Sequence, residues 1–374
     1  MTRRAAITGW GKCVPPVQLT NEDLERLCDT SDEWITERTG ISSRHISHVE
    51  TTDLAEVAAR RALACAGVAA ADLDLIVVAT LTPEISCPST GAMLEERLGA
   101  ENAAAFDLNA ACSGFVYATA VVTGMIESGF AERVLLVGAE KLSYVIDYQD
   151  RATSILFADG AGAAVFESSE SEAGVLSVDL GSDGFKGRTM VIRAMGTQGA
   201  PSAVNEPAVD RLHFEGQAVF KIAVTGMAAS ASRALERAGL GADDVNLVVP
   251  HQANGRIIDA ATRRLGIDPD RVFVNIATHG NTAAASIPMA LTDAIDAGRV
   301  SPGDILVLPA FGGGVTWGSI VLRWGERTEP VGTCDAELPS TDSSVFDLLQ
   351  SNLEYFAPLH VAEADGSGAP LSQR

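Results

Sequence analysis

RALACAGVAAADLDLIV at residues 61–77 and RALERAGLGADDVNLVV at residues 233–249 align without a gap. The pairs Arg61/Arg233, Ala62/Ala234, Leu63/Leu235, Ala66/Ala238, Gly67/Gly239, Ala70/Ala242, Asp72/Asp244, Leu75/Leu247 and Val77/Val249 are identical. Each copy reads as an Ala-rich helix stopped by glycine, then a short turn, then a wholly apolar strand. A helix leading into a buried strand is one piece of a βαβ layer. Two copies about 170 residues apart indicate two related α/β halves, because a solenoid repeats at a far shorter period.

Working outward, apolar strands are expected at Ala103–Leu108, Val134–Val137 and Ala163–Phe166 in the first half. In the second they are expected at Val272–Ile276, Ile305–Pro309 and Ser319–Arg323. Gly-rich turns should precede the last strand of each half, at Asp159–Gly162 and Gly312–Gly314. Residues 327–344 shift to Thr, Pro, Ser and Asp, so the compact fold should end near Gly325. Beyond it, Val345, Phe346, Leu349, Leu353 and Phe356 recur at helical spacing, with Ser343 or Ser344 as cap. That pattern predicts one docked helix over Val345–Phe356 and a disordered end from about Asp365.

The composition, 47% hydrophobic with 20% charged residues, is that of a globular chain and excludes disorder and collagen-like repeats. A net charge of −22 argues against a non-specific nucleic-acid binder, which needs a basic surface. The cysteines at 13, 28, 65, 87, 112 and 334 form no C-x-x-C pair. Reduced thiols in a cytoplasmic protein are therefore expected, without zinc ribbons or disulfides. Near the N-terminus Gly9, Trp10 and Lys12 interrupt any signal-like apolar stretch, and no apolar run reaches ~18 residues, so neither a signal peptide nor a membrane span is expected.

Cys112 follows the apolar strand ending at Leu108 and precedes the helical stretch Phe115–Glu127. A thiol at a strand-to-helix turn faces the positive end of the helix dipole, which favours thiolate. Cys13, Cys28, Cys65 and Cys334 read as buried structural thiols. His251 follows Val245–Pro250 at the carboxyl end of a buried strand, where catalytic groups of α/β sheets collect. Asn281 lies between the strand Val272–Ile276 and a helix over Ala283–Ala297, where its bland role is capping. His279 is the alternative catalytic histidine. His45 and His48 lack acidic or Cys partners, so no metal site is expected. Gly160-Ala-Gly162 lacks the third glycine of a dinucleotide loop, and Gly312–Gly314 lacks the Lys-Ser/Thr of a phosphate loop. The latter reads better as backbone N–H groups that approach a reacting oxygen. A Cys, a His and an Asn on strand ends point to acyl transfer through a thioester.

Asn-Ala-Ala-Cys112-Ser-Gly-Phe, Pro-His251-Gln-Ala-Asn, His-Gly-Asn281-Thr-Ala-Ala-Ala-Ser-Ile-Pro and Ala-Phe-Gly-Gly-Gly-Val-Thr-Trp-Gly resemble the beta-ketoacyl-[acyl-carrier-protein] synthase III family. Thr30-Ser-Asp-Glu-Trp34-Ile-Thr-Glu-Arg38-Thr39-Gly-Ile adds to the resemblance, which runs in order from about residue 4 to residue 325. It implies a thiolase-like duplicated αβαβα five-layer α/β fold, a homodimer, and three segments. These are an N-terminal half (1–175) carrying the nucleophile, a C-terminal half (176–325) carrying His and Asn, and a polar extension (326–374) with one short helix.

The same resemblance implies Cys112, His251 and Asn281 as the catalytic triad, and the N–H groups of Cys112 and Gly313 as the oxyanion hole. Trp34, Arg38 and Arg151 would hold the coenzyme A nucleotide, with Thr39, Phe220 and Asn254 along the pantetheine tunnel. Lys221, Arg256, Arg263 and Arg264 would dock an acidic acyl carrier protein (ACP). Cys87 stands where many members have Phe, at the cap of the partner's acyl pocket. The implied reaction is decarboxylative condensation of an acyl-CoA primer with malonyl-ACP, without metal or redox cofactor, away from nucleic acid and membrane. The alternatives are a secondary-metabolism acyltransferase or starter-condensing enzyme of the same fold, and a non-catalytic partner subunit, which the presence of Cys112 disfavours.

Overall fold

The computed structural model describes residues 3–192, 196–197 and 212–364. The first half runs β1 (Arg4–Cys13), β2 (Val17–Thr20), α1 (Asn21–Glu25), α2 (Asp32–Thr39), β3 (Ser43–Ile46), α3 (Thr51–Ala66), β4 (Leu75–Ala79), α4 (Thr90–Leu98), β5 (Ala104–Leu108), α5 (Gly114–Glu127), β6 (Arg133–Glu140) and β7 (Gly160–Ser169). The second runs β8 (Gly174–Ser182), β9 (Met190–Val191), β10 (His213–Phe214), α6 (Gly216–Arg237), β11 (Leu247–Val248), α7 (Gly255–Arg264), α8 (Ile276–His279), α9 (Ser286–Asp296), β12 (Ile305–Gly312) and β13 (Thr316–Arg323). A last helix, α10, spans Val345–Ala364.

The two copies of the repeat fold alike. Gly67 and Gly239 both take φ +71°, a left-handed geometry that suits glycine as a helix stop. Each is followed by a 3-10 turn, Ala70–Asp72 or Ala242–Asp244, and then by β4 or β11. The first sheet has strand order β1-β7-β6-β4-β5, and the second β11-β12-β13-β8. Read from β8, the second order β8-β13-β12-β11 repeats β1-β7-β6-β4 of the first.

Strand alternation builds the layers. Leu75, Val77 and Ala79 of β4 face a core shared with Phe115, Val116 and Val122 of α5 and Ile287 and Leu291 of α9. Ile76 and Val78 face the opposite side, against Leu54, Ala58 and Ala62 of α3. In the second sheet Leu306 and Leu308 join the shared core, while Ile305 and Val307 pack on Ala231, Ala234 and Leu235 of α6. Such two-sided burial suits the continuous apolar runs of these strands. Helices α5 and α9 therefore lie between the sheets, with α3 and α6 outside, in the five-layered αβαβα arrangement.

Three local expectations are corrected. Val272–Ile276 is not a strand: Val272 makes one parallel bridge to Val248, where β5 pairs with β4 in the other half. The chain then leaves the ladder because the Asn275 N–H donates to the Gln252 side chain (3.1 Å), and α8 begins at Ile276. Gly160 and Gly162 lie inside β7, not in a turn before it. A Cβ on Gly162 would sit 2.6 Å from the Met289 nitrogen, so glycine is there to let α9 lie on the sheet. The helix expected from Ala283 opens as a 3-10 turn over Ala283–Ala285 and becomes α-helical at Ser286.

The compact fold also does not end near Gly325. The Val331 N–H bonds the Cys65 carbonyl, Arg61 bonds the Ala336 carbonyl, and Leu338 packs on the α3 core. Helix α10 starts as expected, with Ser344 and Asp347 capping each other reciprocally, but runs past Phe356 through Pro358. The disordered end expected from Asp365 lies outside the described residues.

Candidate active site

A cavity of about 540 Å³ opens where the strand ends of the two halves meet. Cys112, His251 and Asn281 line it, together with Trp34, Arg38, Thr39, Arg151, Phe220, Asn254 and Arg256.

Cys112 sits on the 3-10 turn Ala111–Ser113 that joins β5 to α5. Ala111 has φ +49°, a strained value for alanine, and Ala283 has φ +44° on the corresponding turn before α9. The duplicated fold thus makes the same strained turn twice, with Cys112 after one and Ala284 after the other. Thr316 Oγ1 ties the turn down by donating to the Ala110 carbonyl (2.9 Å). The end of β12 comes so close that a Cβ on Gly312 would lie 2.8 Å from the Cys112 nitrogen. The backbone N–H groups of Cys112 and Gly313 lie on the side of the thiol where they favour its anion.

The expectation of a resting thiolate is overturned. Burial, with the Glu140 carboxyl adding to it, pushes the Cys112 thiol up to about 12, against the Cys112 and Gly313 N–H groups, which favour the anion. Desolvation outweighs the helix dipole because the group is cut off from water. Glu140 is itself raised to about 8 by burial, although Thr82, Leu81, Ala284 and Thr80 donate to it. In the free protein, alkylation of Cys112 by iodoacetamide is accordingly expected to rise about tenfold per pH unit from pH 6 to 9, because only the thiolate reacts. Peptide-level mass spectrometry reads this; a plateau near neutral pH would contradict it.

Burial depresses the His251 imidazolium to about 3, so the ring is neutral at working pH. Its Nδ1 lies 2.6 Å from Ser286 Oγ, which also accepts the Gln252 N–H at 3.3 Å. We assign the Ser286 hydroxyl hydrogen to Nδ1, which leaves the ring proton on Nε2 as a donor. Asn281 is held by its backbone, N–H to the Leu156 carbonyl and C=O to the Ala158 N–H, both 2.9 Å. Its Oδ1 accepts the Ala283 N–H (2.9 Å) and its Nδ2 donates to the Ala253 carbonyl (3.4 Å). The alternative, His279, is engaged elsewhere: Nε2 bonds Asp293 at 2.9 Å, in a cluster with Lys12 and Asn275. His45 bonds the Pro15 carbonyl and His48 the Pro339 carbonyl. Among the described residues no group of His, Cys, Asp and Glu could hold a metal, and no helix is long and apolar enough to cross a membrane.

At the mouth, the Arg38 and Arg151 guanidinium carbons lie 5.0 and 5.1 Å from the Trp34 ring centroid. Asn254 caps α7 through the Arg256 N–H and donates to the Arg38 carbonyl (3.2 Å). Arg256 reaches Glu37 (3.3 Å), and Arg263 pairs with Asp259 one turn away on α7. Lys221, Arg263 and Arg264 are exposed, outside the cavity lining. Cys87 is exposed and does not line its own chain's cavity. Sequence reasoning passed over Ser286, which carried no signal at 35 residues from His251, and the walls Ile155, Leu156, Met190 and Phe311.

The family profile for 3-oxoacyl-[acyl-carrier-protein (ACP)] synthase III matches residues 106–184, and its C-terminal counterpart matches 235–324. A Vibrio cholerae protein named beta-ketoacyl-[acyl-carrier-protein] synthase III 2 is 44% identical over 360 residues, covering 94% of this chain and 97% of its own. The crystal structure of 3-oxoacyl-[acyl-carrier-protein] synthase III from Aquifex aeolicus is 43% identical with a TM-score of 0.80, covering 86% of this chain and all of its own. The priming beta-ketosynthase of the R1128 polyketide pathway is 36% identical with a TM-score of 0.81, covering 87% of this chain and 97% of its own.

Proposed function

We infer the reaction from one premise: this chain belongs to the beta-ketoacyl-[acyl-carrier-protein] synthase III family. It is an acyltransferase of the condensing type that joins an acyl-CoA primer to malonyl-ACP to give 3-oxoacyl-ACP. The observation that carries this reading is a thiol at a strained turn, closely approached by the end of β12, in a cavity shared with a buried neutral histidine and an asparagine amide.

In the first half-reaction the Cys112 thiol loses its proton as the sulfur attacks the primer thioester, and CoA leaves. The Cys112 and Gly313 N–H groups receive the oxyanion. Malonyl-ACP then enters the same cavity and loses CO2. The enolate oxygen forms against the donors His251 Nε2–H and Asn281 Nδ2–H, and the carbanion attacks the acyl-Cys112 carbonyl. Its C–S bond then breaks to release 3-oxoacyl-ACP and return the Cys112 sulfur, which takes up a proton. A neutral Nε2–H histidine suits this task as a donor. Trp34, Arg38 and Arg151 hold the nucleotide of CoA, and Thr39, Phe220 and Asn254 border the pantetheine. The steps use the chain's own side chains and two thioester substrates, with no cofactor. Incubation with a primer CoA and malonyl-ACP should place a 3-oxoacyl group on the carrier. Transfer to a hydroxyl or amine acceptor without CO2 release would instead favour the secondary-metabolism acyltransferase.

The carrier docks on Lys221, Arg256, Arg263 and Arg264, a local cationic face on a chain of net charge −22. Arg256→Glu, or Arg263→Glu with Arg264→Glu, is expected to raise the KM for malonyl-ACP while acyl-CoA loading persists. The attraction should weaken as salt rises, since exposed charges are screened beyond ~10 Å at 0.1 M. Unchanged carrier kinetics would leave these side chains as a solvated face.

The working unit is a homodimer in the cytoplasm. β5 bonds β4 along one edge only, Ala104 is exposed, and Ile85 is exposed on the loop before α4. An open edge on a sheet buried on both faces is covered by a second copy. All six cysteines are free, which fits a reducing compartment. Cys87 of each subunit caps the partner's acyl pocket in this dimer. With Cys in place of a ring, primers larger than acetyl are favoured, each further buried CH2 being worth roughly 0.8 kcal/mol. Cys87→Phe should return selectivity toward acetyl-CoA without changing decarboxylation. A wild-type preference for acetyl- over butyryl-, isobutyryl- and octanoyl-CoA would reject this cap.

A further inference from the structure

The family profile ends at residue 324, so α10 lies wholly outside it. Its Asn352 side-chain amide reaches the body at one place. Nδ2 donates to the backbone carbonyls of Ser143 (3.0 Å), Ile146 (2.9 Å) and Tyr144 (3.3 Å). Three acceptors thus converge on one NH2 group, and no other described hydrogen bond reaches these carbonyls. The segment has left the sheet at Glu140 and turns through a 3-10 bend at Leu142–Tyr144, so its own backbone does not satisfy them. About two turns further along α10, His360 bonds the Asp147 carboxylate (2.9 Å).

The segment held in this way backs the reacting centre. Leu142, Val145 and Ile146 are buried in one cluster with Cys112, Ile155 and Phe157, and Val345 and Leu349 of α10 belong to the same cluster. Cys112, Ile155 and Phe157 also line the cavity. The chain of packing is short: Asn352 holds the carbonyls of Ser143, Tyr144 and Ile146, and their segment carries Leu142 and Val145 into the cluster that includes Cys112.

The geometry points to Asn352 as a positioning residue that sets the size of acyl group accepted beside Cys112, a role that rests on the function proposed above. Close-packed interiors transmit small shifts, so freeing the 143–146 backbone moves the wall and alters the fit of a long primer more than that of acetyl. The malonyl step draws on His251 and Asn281, which Asn352 does not touch.

The test uses the full chain. Asn352→Asp keeps the shape but turns an acceptor toward three carbonyls; Asn352→Ala leaves them to water and carries the same comparison if the first variant does not fold. kcat/KM is measured for acetyl-, butyryl-, isobutyryl- and octanoyl-CoA, with amide exchange of residues 142–147. The octanoyl-to-acetyl ratio is expected to change by about tenfold, the scale of losing the paired donors, with faster exchange in the segment. Decarboxylation of malonyl-ACP by the loaded variant should match the wild type. An unchanged ratio, or an equal fall for every primer, would overturn the proposal and leave Asn352 as a residue of stability alone. A wild type that loads none of the four CoA thioesters would instead reject the proposed function, and this inference with it.

Discussion

Replacing Cys112 by alanine is expected to abolish both acyl loading and condensation. Among the described residues, Cys112 is the only cysteine that lines the cavity. It sits where the chain accepts strain at Ala111 and where the end of β12 approaches closely. The remaining thiols lack that setting: burial raises Cys13 to about 12, and Cys87 lies on an exposed loop. The loss should be at least ~10⁴-fold in kcat, the order found when a covalent nucleophile is removed. Circular dichroism should stay native, because a methyl group fits where the other half carries Ala284 on the equivalent turn. Acylation of the variant at the wild-type rate would place the intermediate elsewhere.

Asn281→Ala is expected to separate the two half-reactions. Its amide faces the cavity and donates toward Ala253, and the charge it would stabilise appears only when CO2 leaves. Loading of Cys112 should therefore survive, while decarboxylation falls by ~10²–10³-fold, the effect of one oxyanion donor. Single-turnover loading followed by timed CO2 release reads both steps. The competing role is visible in the structure: Asn281 Oδ1 holds the Ala283 N–H at the strained turn before α9. If that role dominates, both half-reactions fall together. His251 differs in that its donor character depends on a neighbour, Ser286, whose hydroxyl meets Nδ1 at 2.6 Å.

The two halves were legible because the repeat carries its own punctuation. Gly67 and Gly239 stop helices at the same φ, and the apolar runs after them can only be buried strands. The candidate site was legible for a related reason: in a duplicated α/β fold, strand ends converge, and Cys112 and His251 follow strands, while Asn281 follows the short helix α8. What failed depended on neighbours distant in sequence. Gly160 and Gly162 carry the residue type of a turn, yet they are glycine because Met289 of α9 presses on the strand. Val272–Ile276 has strand composition, but side-chain bonds from Gln252 take over the backbone after one bridge. The ionisation of Cys112 was misread because a helix dipole can be placed from sequence while desolvation cannot. For α10 the apolar spacing was clear. Its continuation through Pro358 depends on docking, with His360 bonding Asp147 beyond the proline, and tertiary contact there overrides local propensity.

The central claim is that Cys112 carries the acyl group between the two substrates. Mass spectrometry of the wild-type chain after brief exposure to acetyl-, butyryl-, isobutyryl- or octanoyl-CoA tests it most directly. The account predicts a single acyl adduct on the peptide containing Cys112, which disappears when malonyl-ACP is added as 3-oxoacyl-ACP forms. An adduct on another residue, or one on Cys112 that persists while product accumulates, would contradict it.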